Sequence, residues 1–350
     1  MAKFGEANMR DVAAAAGVSH ITVSRALRND TRVAAQTRKR VLAAAESLGY
    51  APNPLVNAYA AQIRRRKGAA PSCNLGWLSA TPERHKAGHF AWVRPYLGGA
   101  LDRAKALGFT LETDLEVHGL SERAVGRLLR ARGIRGILLP YVHYFGKTLA
   151  ASPHWAAVSI GNRAGGPPVH TVRPNAFENT RLAFETLRAR GFRRIGFCEN
   201  LYSAQQGRGL YEAAYLYHQE RLPEEERVPV LTGLQVEPLT AACKSRFREW
   251  FRAHRPDVVL VTFLHVRSWL REMKVDVPGD VALAHLSISE ETSDWAGVNV
   301  GARGLGSAAV DLLAAHITRN EYDVPENPKH MSLTGYWQEG RTVVADDHRF

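Results

Sequence analysis

His20, Ile21, Ser24 and Arg25 stand at the spacing that lays four side chains along one face of a helix. Val23, Ala26 and Leu27 fall on the opposite, apolar face, so the four are turned outward. The chemistry open to that outward face is recognition of a surface. Arg25 carries a planar guanidinium able to take both acceptors of a guanine edge, a pairing on the order of 1–3 kcal/mol in discrimination. His20 donates or accepts according to its tautomer, and Ile21 offers only apolar contact, suited to a thymine methyl.

Short elements must hold this face in place. Asn8 is placed to cap a first helix, with Asp11 three residues on answering the cap, and Val12, Ala13 and Ala16 form its apolar stripe. Gly17 ends that helix, Val18 plugs a small core, and Ser19 offers its hydroxyl to the open N–H groups of the second helix. The pattern is two helices around one tight turn. A third helix is expected over residues 37–48, with Val41, Ala45 and Leu48 inward and Arg38, Lys39 and Arg40 near its start. Asn53-Pro54 marks a boundary, because the residue before proline avoids helical angles while proline suits a first helical position. A helix over 54–62 is too short to be stable alone in water. The basic run of residues 64–72 reads as a solvated linker.

The run M-R-D-V-A-x-x-A-G-V-S-x-x-T-V-S-R-A-L over residues 9–27 closely resembles the helix-turn-helix of the lactose and galactose repressor family of bacterial transcription regulators. The likeness continues without a gap through Val33, the helix at 37–48, Gly49, Tyr50, Pro52 and Asn53. It implies an N-terminal all-α helix-turn-helix headpiece, residues 1–52, that docks in the major groove with His20, Ile21 and Arg25 as base readers. Ser19, Thr22, Ser24, Arg32, Thr37, Tyr50 and Asn53 fall where the family contacts phosphates, which sets register without reading sequence. Residues 53–71 correspond to the family's hinge helix and linker, which orders when two subunits sit together on DNA. There Tyr59 stands where relatives place a leucine or methionine wedge in the minor groove, with Leu55 one turn earlier as its support. Arg64, Arg65, Arg66 and Lys67 would add electrostatic attraction to the backbone.

Length and charge agree with this. At 350 residues the chain suggests two or three domains. Residues 1–70 hold twelve Lys and Arg against four Asp and Glu, so +8 of the net +12 lies in one fifth of the sequence and points to a polyanion partner. No apolar run approaches the roughly 20 residues of a membrane span, and no secretory signal is evident. Three distant cysteines, Cys73, Cys198 and Cys243, fit a reducing cytoplasm and argue against a disulfide framework or a cysteine-type zinc site. A cytoplasmic protein associated with the nucleoid is therefore expected.

From Cys73 onward, apolar strands alternate with amphipathic helices, the pattern of a parallel α/β sheet. Strands are expected at 74–78, 110–115, 134–139, 156–160, 194–197, 258–261 and 281–286, and helices at 93–107, 121–132, 179–190, 208–220, 244–253 and 305–320. The stretches 187–197, 280–288 and 309–321 extend the family likeness and imply an α/β two-lobed core of the type I periplasmic-binding-protein-like kind, residues 72–350. Its lobes are expected at about 72–162 with 292–325, and 163–291 with 326–345, joined by three crossings. The likeness also implies a homodimer on a pseudo-palindromic operator, and a carbohydrate-related effector between the lobes. The polar clamp of sugar-sensing relatives is replaced here by Tyr211, by Phe263-Leu264 and by Ser287-Ile288. Tyr141, His143, Asn175, Gln205 and His265 lie near expected strand ends, where ligands bind in open α/β folds. A core that serves only as a ligand-free dimerisation platform is the alternative. No cofactor, metal site or catalytic group is expected: G-x-G-x-x-G after the first strand, G-x-x-x-x-G-K-[ST], G-x-S-x-G and H-E-x-x-H are all missing, and His85 with His89 lacks a third ligand.

Overall fold

A computed structural model describes residues 9–27, 30, 32–50, 74–78, 93–115, 117, 119–140, 154–161, 168–235, 240–288, 292–319, 321–322 and 325–344. The amino-terminal unit packs α1 (Met9–Ala16), α2 (His20–Leu27) and α3 (Ala35–Ser47) around one apolar cluster. Val12, Ala13, Ala16, Val23, Ala26, Val33, Val41, Ala44 and Ala45 are buried there, with Met9, Val18, Leu27 and Tyr50 packed against them. Gly17 takes φ +62, which a side chain would resist, and lets the Val18 amide return to the Ala13 carbonyl at 3.0 Å. The third helix begins two residues before the expected start. Leu48, expected inward, is 39% exposed, because α3 ends at Ser47 and Gly49 at φ +61 turns the chain away. Ala44 fills the inner position instead.

The remainder forms two six-stranded sheets. The first is built from β1 (Asn74–Trp77), β2 (Thr110–Glu112), β3 (Ile134–Pro140), β4 (Ala156–Ile160), β5 (His170–Pro174) and β11 (His330–Leu333). Its spatial order is β11-β5-β4-β3-β1-β2, all parallel. The second takes β6 (Ile195–Asn200), β7 (Leu231–Leu234), β8 (Val258–Val261), β9 (Ala282–Ile288), β10 (Ala296–Asn299) and β12 (Tyr336–Gln338). Its order is β12-β10-β9-β8-β6-β7, with only β12 antiparallel. Every residue of β8 is buried, as expected where helices cover both faces of a parallel sheet.

Helices α4 (Arg94–Leu107), α5 (Glu122–Ala131) and α11 (Ala302–Arg319) belong to the first lobe. The second has α6 (Ala176–Ala189), α7 (Leu201–Gly207), α8 (Leu210–Gln219), α9 (Ala241–His254) and α10 (His265–Glu272). The chain passes between the sheets three times, after β5, after β10 and between β11 and β12. All three crossings come later than the sequence leads one to expect, since β5 still pairs with β4, β10 still pairs with β9, and β11, at 330–333, still pairs with β5 in the first sheet. The short strands β5, β7, β10, β11 and β12 were not foreseen, nor was α10; the helix expected at 208–220 is α8, starting at Leu210, with the separate α7 before it.

Side-chain caps fix several strand-to-helix corners. Ser121, Asn175, Asn200 and Thr240 accept from the amides of Ala124, Glu178, Ser203 and Cys243 at the starts of α5, α6, α7 and α9.

Two buried histidines are held neutral. His285 on β9 accepts the Ser287 amide at 3.1 Å, and His170 on β5 accepts the Lys329 amide at 2.9 Å, each through Nδ1. Burial pushes both down to about 4. A histidine depressed on folding contributes stability that is fully present above pH 6.5 and is lost as pH falls toward 4. For His285 the loss is about 3 kcal/mol across that window. A His285→Gln variant, which keeps an acceptor for Ser287, is expected to flatten this acid limb in denaturant melts run from pH 7 to pH 4.

Candidate nucleic-acid interface

Ser19 positions the second helix of the headpiece. Its Oγ accepts the Thr22 amide at 3.1 Å and meets the Thr22 hydroxyl at 2.9 Å, so the two side chains fix the helix start while one of the two hydroxyl hydrogens stays available to an outside acceptor. Beyond them His20, Ile21 and Arg25 are exposed, Ile21 at 52%. Ser24 is half-buried beside them, and Thr37 is half-buried in α3. The buried face of α2, Val23 and Ala26, seals the core, so rotation that hides the recognition face would expose the core. An eight-residue helix is about 12 Å long, about the width of a B-DNA major groove. Tyr50 packs on the headpiece cluster and its amide donates to Ala45 O at 2.9 Å, so its first role is structural.

The loop between α2 and α3 is tied by charge. Arg38 Nη2 donates to the carbonyls of Asp30 at 2.9 Å and Val33 at 3.2 Å. Arg32 forks onto the Asp30 carboxylate, Nε to Oδ1 at 2.9 Å and Nη2 to Oδ2 at 2.6 Å. The hydrogen bond from Arg32 holds Asp30 down at about 2, although burial opposes it. Arg32 is exposed on the loop, and its charge is already answered by Asp30. Asp30→Asn is expected to release it and to tighten low-salt binding to random-sequence duplex. The slope of log K against log salt should steepen by about one unit, measured by fluorescence anisotropy.

Asn53, Leu55 and Tyr59 of the hinge, together with Arg64 to Lys67 and the His85–His89 pair, lie outside the described residues. So do Tyr141 and His143 of the cleft. The other expected cleft residues are dispersed in role. Asn175 spends its carbonyl oxygen capping α6, at 3.2 Å from the Glu178 amide. Gln205 is exposed on α7. Phe263 is buried against Trp269 with ring centroids 5.7 Å apart, a core contact. His265 starts α10, half-buried, with no hydrogen-bond partner at Nδ1. Ser287 is half-buried and its amide is spent on His285.

Tyr211 sits at the seam between lobes. It is buried in the second lobe, yet Tyr96 of α4 in the first is near enough, with Glu199, to add to the burial that raises its hydroxyl. Sequence reading missed Glu199, the fifth residue of β6. It is 0% exposed, neither carboxyl oxygen has a hydrogen-bond partner, and burial with Glu212 nearby pushes it up to about 8. The signal was a lone acid in the strand I-G-F-C-E-N. Also missed were Arg173 and His330. The register of β5 with β11 sets them on one face of the sheet edge, and Arg208, after α7, is near enough to lower both by its charge, after burial.

Comparison with known proteins places these features. Residues 8–53 match the family described as bacterial regulatory proteins, lacI family, and residues 184–342 match the periplasmic binding protein-like domain. The HTH-type transcriptional repressor PurR of Pectobacterium carotovorum subsp. carotovorum (strain PC1) is 27% identical over 210 residues, 59% of this chain. That match spans 58% of the repressor's own length. Among solved structures, a transcriptional regulator CelR–cellobiose complex superposes with TM-score 0.56 at 22% identity, over 96% of this chain and 99% of that one. The lac repressor dimer bound to operator and the anti-inducer ONPF gives TM-score 0.56 at 20% identity, over 97% and 100%. At such identities the likeness establishes the fold: a helix-turn-helix unit followed by a periplasmic-binding-protein-like core.

Proposed function

Because residues 8–53 match the lacI family of bacterial regulatory proteins and residues 184–342 a periplasmic binding protein-like domain, we propose that the chain is a DNA-binding transcriptional regulator of that family and acts as a repressor. Two headpieces, residues 1–52, dock on the half-sites of a pseudo-palindromic operator, with residues 53–71 as hinge and 72–350 as dimerising core. One headpiece makes too few base contacts for useful specificity, and a two-fold dimer doubles them. His20, Ile21 and Arg25 read bases. Ser19, Thr22, Ser24, Arg32, Thr37, Tyr50 and Asn53 set register on phosphates, while Tyr59, backed by Leu55, opens the minor groove.

The observation that carries this reading is the face of α2, where His20, Ile21 and Arg25 stand exposed while Val23 and Ala26 close the core behind them. A small molecule between the lobes, carbohydrate-related as in the cellobiose complex named above, would shift the lobes and couple to DNA affinity by about 1–3 kcal/mol. Among the described residues no helix is long and apolar enough to cross a membrane.

The test is a footprint of the purified protein on DNA upstream of its own gene. Protection of two related half-sites, weakening with salt and released or reinforced by a ligand, supports the reading. Binding without sequence preference contradicts it. A thermal-shift screen on the same protein separates effector control from a ligand-free platform, since a ligand bound only by the folded state raises its stability.

A further inference from the structure

We propose that the carboxyl end of β6 is a cation subsite of the interlobe cleft, in which Glu199, with Thr262 and Glu212 beside it, receives an ammonium group of the effector. The inference rests on the reading that the core takes a small-molecule effector, and it names the chemical class of that molecule.

Alternation along β6 gives the direction of Glu199. Ile195 and Phe197 pack in the cluster beneath α6 and α8, while Cys198 packs on the other face, so Glu199 follows Phe197 toward α8. Cys198 pairs with Val261 at the end of β8, and the ladder continued one residue past that end brings Glu199 next to Thr262. Thr262 Oγ1 is likewise buried without a partner. Two carboxyl oxygens and a hydroxyl of this region are therefore buried with no hydrogen-bond partner among the described residues. Buried polar atoms are nearly always paired, and two carboxylate oxygens, which only accept, call for a group that brings donors, with the Thr262 hydroxyl able to accept one more.

An ammonium has three N–H donors for the two carboxylate oxygens and the hydroxyl. Glu212, on the first turn of α8, adds a second negative charge, which favours a cation over a neutral hydroxyl. Among the described residues no three His, Cys, Asp or Glu side chains converge as a metal site would require. Glu199 is sealed in this arrangement, with Tyr211 and Tyr96 at the seam, so the cation enters only as the lobes part or the Tyr211 ring moves. Its affinity then differs between lobe arrangements, which is what control of DNA binding needs.

The test uses the full-length protein at pH 7 with paired probes: D-glucosamine against D-glucose, glucosamine 6-phosphate against glucose 6-phosphate, and putrescine against 1,4-butanediol. At least one amine is expected to raise the melting temperature and to bind at least about tenfold more tightly than its uncharged counterpart. Glu199→Gln should lose that preference, and Glu212→Gln should weaken it. Calorimetry in two buffers of different ionisation enthalpy should show release of roughly one proton on binding to the wild type and none to Glu199→Gln. Equal binding of the uncharged partners, unchanged amine binding by Glu199→Gln, or no amine binding at millimolar concentration each overturns the subsite. If a neutral sugar alone binds, the effector reading stands and only the cation subsite falls; operator binding on the same samples reports the headpiece separately.

Discussion

Gly306→Ala is expected to destabilise the core by about 3 kcal/mol or more, whereas Gly304→Ala, two residues earlier on the same helix, leaves it unchanged or slightly stabilised. Helices α4 and α11 cross with backbone against backbone. A methyl on Gly306 would lie far inside van der Waals contact distance of the Tyr96 carbonyl oxygen and 3.0 Å from the Ala100 amide nitrogen. A methyl on Gly99 would meet the Arg303 carbonyl in the same way. No flexible side chain is there to yield, so the helices must separate and the contacts of Leu305, Ala309, Val310 and Leu313 loosen with them. At Gly304 the nearest neighbour is Leu333 Cδ2 at 3.8 Å, an ordinary contact, and alanine gains helix propensity of about 1 kcal/mol. Urea unfolding of the two variants, followed by circular dichroism, checks the contrast.

Glu199→Gln is expected to stabilise the protein at pH 9 by about 3–5 kcal/mol while changing little at pH 5. A carboxyl raised from 4.5 to about 8 is protonated in the folded protein where the unfolded chain has already ionised. Stability therefore falls as pH rises from 4.5 toward 8 and stays low above it. Glutamine keeps the shape and cannot ionise, so the variant lacks this alkaline loss. Glu212 and Tyr211 face the same region in both proteins, and the difference between the two stability curves isolates Glu199. Denaturant midpoints at pH 5, 7 and 9 give that difference directly.

The headpiece was legible because its determinants are local. Gly17, Ser19 and the spacing of Val12, Ala16, Val23 and Ala26 state a turn and two helix faces within twenty residues, and the structure places each as read. What local pattern could not give was the loop, where Arg38 ties down two carbonyls and Asp30 neutralises Arg32. The central strands were legible as apolar runs. β5, β10, β11 and β12 were not, since segments such as H-T-V-R-P and H-M-S-L are short, partly polar and defined only by their partners. Asn175 looked like a cleft ligand because it follows a strand, yet the same position is where a helix needs a cap. Glu199 was visible as a charge in a strand, but its lack of any partner exists only in three dimensions.

The central claim is that the exposed face of α2 reads base sequence, and Arg25 tests it most directly. Affinities of wild type and Arg25→Ala are to be measured on the footprinted operator, and on operators in which each guanine of the half-site is replaced in turn. The account predicts that Arg25→Ala costs about 1–3 kcal/mol per half-site on the native operator and becomes indifferent to one guanine position that the wild type distinguishes. Equal affinity of the two proteins for the native operator, with the same dependence on every guanine, would contradict it.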